Sequence, residues 1–347
     1  MTTVRQAKDV ARQWVIDEAP GIAGFAGASF AGSAIWLPDE ATLPPTSDVD
    51  ITIVLDSAHP PDKIGKFRHH VVMLDVSYMT AGALRSADVL LSDYHLAGNF
   101  RRPGIISDPT GTLCSVQAEV ARGFNKRQWV QRRCEHARDK ILAGLGQMHE
   151  GAPLHDNVLA WLFPTGVTTH VLLVAGLRSP TIRTRYLAVR DLLTDYRRPD
   201  VYASLLELLG CAGMSQSRAT HHLTTLTGAF DAASAIGNTH FPFSSDISAI
   251  GRPIAIDGSR DLIERGDHRE AVFWLVATYA RCQTILDHDA PALRERFDAG
   301  YHSLLGDLGI TSFGDLQDRV EATRNALPGI MEVAETIIAA NPAIENA

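Results

Sequence analysis

Apolar positions in the first third of the chain recur at two spacings in turn. Residues 1–19 carry them at helical intervals with charges scattered between, which predicts an amphipathic helix. An apolar Gly- and Ala-rich stretch follows over residues 22–30 and ends at the small-residue turn Gly32-Ser33. Pro38, Pro44 and Pro45 then exclude a continuous helix or central strand and predict a loop through Thr46. Residues 49–55 read as a strand with Val49, Ile51, Ile53 and Leu55 on one face and Asp50 on the other. Pro60-Pro61 mark a break, followed by a short helical piece. Residues 71–78 are a second strand, 81–91 a helix, and 104–111 a short strand running into a turn.

From Thr112 onward β-branched alternation fades and helical periodicity takes over. Residues 115–149 read as one long helix or two. Further helices are predicted over 157–177, 182–196, 201–209, 217–235, 269–286, 292–305 and 314–340. The polar, Pro- and Gly-bearing segment 237–258 is a long loop. The expected fold class is α+β, with a small α/β domain at 1–112 and an all-helical domain at 113–347.

Composition narrows the class. The chain has 347 residues, 45% of them hydrophobic, enough to bury two cores. No unbroken apolar run reaches the ~18–20 residues of a membrane span. The opening helix lacks the basic start, apolar centre and cleavage site of a secretory signal. Cys114, Cys134, Cys211 and Cys282 are far apart with no CxxC pair, which suits reduced, mostly buried thiols. A cytoplasmic protein is expected. A net charge of −8 argues against a dedicated nucleic-acid binder and suits cationic substrates. The basic run Arg122, Lys126, Arg127, Arg132, Arg133, Arg138 and Lys140 reads best as the solvated face of a helix.

The chemistry concentrates in the first domain. Asp48 and Asp50 are one residue apart at the head of an apolar strand, so their side chains project to the same face. Asp75 sits in the second strand on the face opposite Val72, Leu74, Val76 and Tyr78. A carboxylate in an apolar strand is costly to bury without a cation or a proton. Were the strands neighbours, the three acids would converge on a hard, oxygen-loving cation such as Mg²⁺. Gly32-Ser33 is a turn that could approach phosphate.

The runs Gly27-Ala28-Ser29-Phe30-Ala31-Gly32-Ser33, Thr46-Ser47-Asp48-Val49-Asp50-Ile51 and Leu74-Asp75-Val76 resemble the polymerase-β-type nucleotidyltransferase superfamily. Within it the layout is similar to the antibiotic (aminoglycoside-type) nucleotidyltransferases, which place a compact catalytic domain before a helical one. Residues 105–111 resemble the strand and turn that close the catalytic sheet there. The motif resemblance covers roughly residues 21–112; beyond that only helical character agrees. It implies a mixed sheet and Mg²⁺-dependent transfer of NMP, from ATP foremost, to a hydroxyl of a small molecule. Gly32 and Ser33 would contact the nucleotide phosphates, Asp48 and Asp50 would bind Mg²⁺, and Asp75 would be a further ligand or the base. The long Trp36-bearing segment before Asp48 departs from the pattern and leaves Gly27/Ser29 as a second candidate for the phosphate turn.

Arg183 and Arg185, at a predicted helix start, are further candidates to reach phosphate, with a solvated basic turn as the equal alternative. Trp36, Tyr78 and Trp161 are better explained by packing than by stacking on a ligand. Two other functions fit the same motifs: transfer to tRNA or protein, for which the basic run is the only support, and nucleotide binding without catalysis.

Overall fold

A computed structural model describes residues 2–84 and 86–346, which form two compact units. The first comprises Met1–Arg133 with Pro342–Ala347, the second Cys134–Asn341.

The first unit opens with helix α1, Val4–Glu18. Thr3 starts it with a capping box: the Gln6 N–H donates to Thr3 Oγ1 (3.2 Å) and the Thr3 N–H donates to Gln6 Oε1 (2.9 Å). Its apolar stripe, Val4, Ala7, Ala11, Trp14 and Val15, is buried. The sheet has five strands, β1 (Phe25–Phe30), β2 (Val49–Leu55), β3 (Gly65–His69), β4 (Val72–Thr80) and β5 (Ile105–Ser107), in spatial order β3-β4-β2-β1-β5. The β2–β4 pair is parallel and the other pairs are antiparallel, so the sheet is mixed. Val49, Ile51, Ile53 and Leu55 of β2 join Val72, Leu74 and Val76 of β4 in one core with α1. Val54, on the opposite face, packs with Leu90 and Leu91 of α3 (Ala87–Ser92) and Leu113, Val116 and Val120 of α4 (Thr112–Gly123). Both faces are therefore covered, as a strand pattern this apolar requires.

Two expectations are corrected here. The short helical piece after Pro60-Pro61 is instead β3, the outer arm of a hairpin with β4 that turns through His70, at φ 50°. Alternation decides this: Phe67 packs inward on Trp14 with ring centres 5.2 Å apart, while Lys66 faces the other way. The helix expected over 81–91 is a 3₁₀ turn, Ala81–Leu84, and then α3; residue 85 between them lies outside the described residues. The two units meet at 133/134, and α4, whose Leu113, Val116 and Val120 pack on the second face of the sheet, lies in the first.

That boundary falls inside α5, Arg127–Leu145. The second unit continues with α6 (Leu154–Ala175), α7 (Arg185–Asp195), α8 (Pro199–Leu209), α9 (Gln216–Ile236), a π-helical turn Pro253–Asp257, α10 (Gly258–Glu264), α11 (His268–Asp289), α12 (Pro291–Asp307) and α13 (Phe313–Ala340). Residues 115–149 thus hold most of α4 and all of α5, and the long loop spans 237–251. Among the described residues α6 alone is long and apolar enough to cross a membrane, and 78% of its apolar window is buried inside the protein. Its buried Thr168 and Thr169 hydroxyls donate to the carbonyls of Thr165 and Gly166, as suits a core helix. In the sequence its apolar run is broken by Asp156, Asn157, His170 and these threonines.

Candidate metal centre

Register across the sheet builds the site. Asp50 on β2 lies opposite Asp75 on β4, and Asp75 lies opposite Lys66 on β3, so the three residues form one rung on one face. Asp48, two residues before Asp50, joins them from the loop residue just ahead of β2. Asp48, Asp50 and Asp75 each offer a carboxylate oxygen within 4.8 Å of the others. This confirms the neighbouring strands that the sequence reading needed.

The electrostatics are uneven. Lys66 Nζ lies 2.8 Å from Asp48 Oδ2 and also ion-pairs with Asp75 Oδ2; its side chain is only 9% exposed. Lys63 Nζ stands 3.8 Å from Asp75 Oδ1. Asp50 is different, since its carboxyl accepts no hydrogen bond from any described residue. Burial, and then the charges of Asp48 and Asp75, push its pKa up to about 8 against the pull of Lys66 and Lys63.

The Gly32-Ser33 turn lies beside the acids. Gly32 leaves β1 at φ 53°, and a Cβ there would lie 2.0 Å from Asp50 Oδ2. Its N–H donates to Asn99 Oδ1 (3.1 Å), and the Ala31 N–H donates to the Asp50 carbonyl (2.9 Å). Ser33 begins the short helix α2, Ser33–Trp36, and is partly exposed. The alternative pair lies within β1: a Cβ on Gly27 would meet Leu113 at 2.4 Å, and Ser29 is buried. Gly32-Ser33 is therefore the turn beside the acids.

The remaining candidates divide. Trp36 packs against Phe124 and carries the Arg101 guanidinium 4.2 Å from its ring centre, which agrees with the packing reading. Arg101 has no carboxylate partner among the described residues, and burial lowers its pKa to about 10. Arg183 and Arg185 belong to the second unit, at the start of α7. Arg185 is 2% exposed, with its guanidinium over the Phe273 ring and its Nε donating to the Ile182 carbonyl (2.8 Å). The Arg185 guanidinium is thus enclosed in the core of the second unit rather than presented to solvent. Arg133 of the basic run is likewise buried, donating to the Leu91 and Phe124 carbonyls, while Arg122, Arg132 and Lys140 are exposed.

No protein-family model matches the chain. No curated protein matches its sequence. The functional reading therefore rests on the site itself and on the motifs that form it. Sequence reasoning missed Lys66, Lys63 and Asn99. Lys66 was legible in principle, because Lys66-Phe67-Arg68 alternates as a strand does. Asn99 carried no signal, since only the fold brings it to Gly32.

The donor set is all carboxylate oxygen, with one carboxyl lacking a hydrogen-bond partner, and it fits a hard divalent cation. Asp50 and Asp75, fixed on neighbouring strands, hold their oxygens more rigidly than a loop does.

Proposed function

We propose that the chain is a Mg²⁺-dependent nucleotidyltransferase that moves NMP, from ATP foremost, to a hydroxyl of a small molecule. The observation that carries this reading is the convergence of Asp48, Asp50 and Asp75 beside the Gly32 turn. The motif resemblance to the polymerase-β-type superfamily supports it. In the reaction the acceptor hydroxyl oxygen bonds to the α-phosphorus, the bond to the bridging oxygen of the β-phosphate breaks, and pyrophosphate leaves. The hydroxyl proton passes to a base. Bound Mg²⁺ supplies charge neutralisation on the phosphates and orients the attacking oxygen.

The protein's own residues do the positioning. Asp48 and Asp50 would hold the cation, with Asp75 as a further ligand or the base. Gly32 lets the backbone pass Asp50 without collision, and its turn, with Ser33 next to it, would contact the phosphates. Free cysteines, three of four buried, support a reducing, cytoplasmic setting.

A pyrophosphate-release screen of the four NTPs against hydroxyl-bearing metabolites and aminoglycosides tests the reading. We expect one NTP and one acceptor class to give Mg²⁺-dependent release. Asp48→Asn and Asp50→Asn should each lower it by more than about 100-fold, beyond the cost of losing an outer-shell partner, with the far-UV circular dichroism unchanged. Full activity in either purified variant overturns the assignment.

A further inference from the structure

The sheet places an ammonium where a metal-binding acid cluster has most need of a cation. Lys66 stands directly opposite Asp75 in the β3–β4 pair, so the backbone, not chance rotamer choice, delivers it to the acids. Its Nζ bridges Asp48 Oδ2 and Asp75 Oδ2. Asp50, the third acid, has no hydrogen-bond donor of its own, which leaves one carboxyl of the cluster available to a ligand.

We propose that Lys66 is a resident counter-cation that a divalent metal must displace, and that the displaced ammonium is received by nucleotide phosphate, so metal and nucleotide bind cooperatively. This rests on the nucleotidyltransferase reading for the identity of the second ligand.

The physics is competition for the same oxygens. Like charges this close repel strongly in a partly buried site, so the ionised carboxylates of the cluster need a neighbouring cation. Lys66 supplies it in the metal-free protein. A divalent ion sits about 2.0–2.6 Å from its oxygen ligands, and one bridging Asp48 and Asp75 would face the ammonium at close range. Repulsion then weakens metal binding unless Lys66 leaves. Its flexible four-carbon stem permits that, where a guanidinium fork would be held more firmly to two carboxylates. Leaving strands the charge of a side chain that is only 9% exposed, and that cost falls when triphosphate oxygens stand nearby to accept it. Each ligand thus removes part of the other's cost, and the coupling is reciprocal.

The test is Mn²⁺ binding to the full chain at one fixed pH, followed by the electron paramagnetic resonance of free Mn²⁺. Wild type, Lys66→Met, Lys66→Arg and Asp50→Asn are compared with and without α,β-methylene-ATP. Lys66→Met should bind Mn²⁺ alone at least tenfold more tightly than wild type. The nucleotide analogue should tighten Mn²⁺ binding tenfold or more in wild type and much less in Lys66→Met. Lys66→Arg should retain weak binding of the metal alone, and Asp50→Asn should lose binding throughout.

Thermal melts cover the case of a poorly folded variant. Saturating Mn²⁺ should restore a cooperative melt to Lys66→Met and raise its Tm more than it raises that of wild type. The proposal is overturned if Lys66→Met binds Mn²⁺ no more tightly than wild type, if the analogue tightens both equally, if neither binds, or if Mn²⁺ fails to restore the melt. Failure of the transferase reading looks different: the affinity gain on Lys66→Met persists while no NTP yields pyrophosphate.

Discussion

Asp50 carries the most consequential single charge. Its folded-state pKa of about 8 lies above the ordinary carboxyl value of 3.8, mainly through burial and then through Asp48 and Asp75. Between those two values the folded chain binds more protons than the unfolded chain, so stability falls as pH rises. The cost is absent below about pH 4 and complete above about pH 8. Asp50→Asn removes the titration. In metal-free buffer its Tm advantage over wild type should therefore grow from pH 5 to pH 8.5, by about 2–4 °C for each kcal/mol. A pH-independent difference between the two melting curves would exclude this account. The same proton must leave when a cation binds, so wild-type metal affinity should climb by up to about tenfold per pH unit below pH 8.

At the scale of elements, the junction between β1 and α2 fixes the approach to the acids. Gly32 combines φ 53° with a Cβ position that Asp50 Oδ2 already fills. Gly32→Ala should cost about 1–3 kcal/mol from the backbone alone, and more if Asp50 cannot shift. Chemical denaturation measures it; a wild-type midpoint and slope would show that the turn tolerates a side chain. The neighbouring hairpin shows why some elements escaped the sequence. β2 and β4 declare themselves through long apolar alternation, whereas β3 has five residues and one inward aromatic, Phe67. Its strand character comes from pairing with β4 more than from its own propensity.

For the whole molecule, the boundary between units and the course of the chain's end matter most. The Glu345 N–H donates to the Asn125 carbonyl (3.0 Å), and the Arg127 N–H donates to the Glu345 carbonyl (2.8 Å). The last residues therefore belong to the first unit in space, though they are farthest from it in sequence. Deleting residues 342–347 removes both bonds and the buried side chain of Ile344. The expected loss is about 2–4 kcal/mol, from two backbone hydrogen bonds and one apolar side chain. Hydrogen exchange should show it as faster exchange at the amides of 125–130. Unchanged protection there would mean that the tail contributes little.

Local pattern determined the α+β division, both long strands, most helices and the three acids, because spacing of 2.0 or 3.6 residues is written in neighbouring positions. It also put Asp48 and Asp50 on one face and set Asp75 against an apolar face. Only the tertiary structure decided that β2 and β4 are parallel neighbours with Asp50 opposite Asp75. It set Gly32 against Asp50 and Gly27 against Leu113, buried Arg185 and brought Lys66 into the cluster. The reason is physical. Strand partnership and burial depend on contacts between segments far apart in sequence, which no local periodicity encodes.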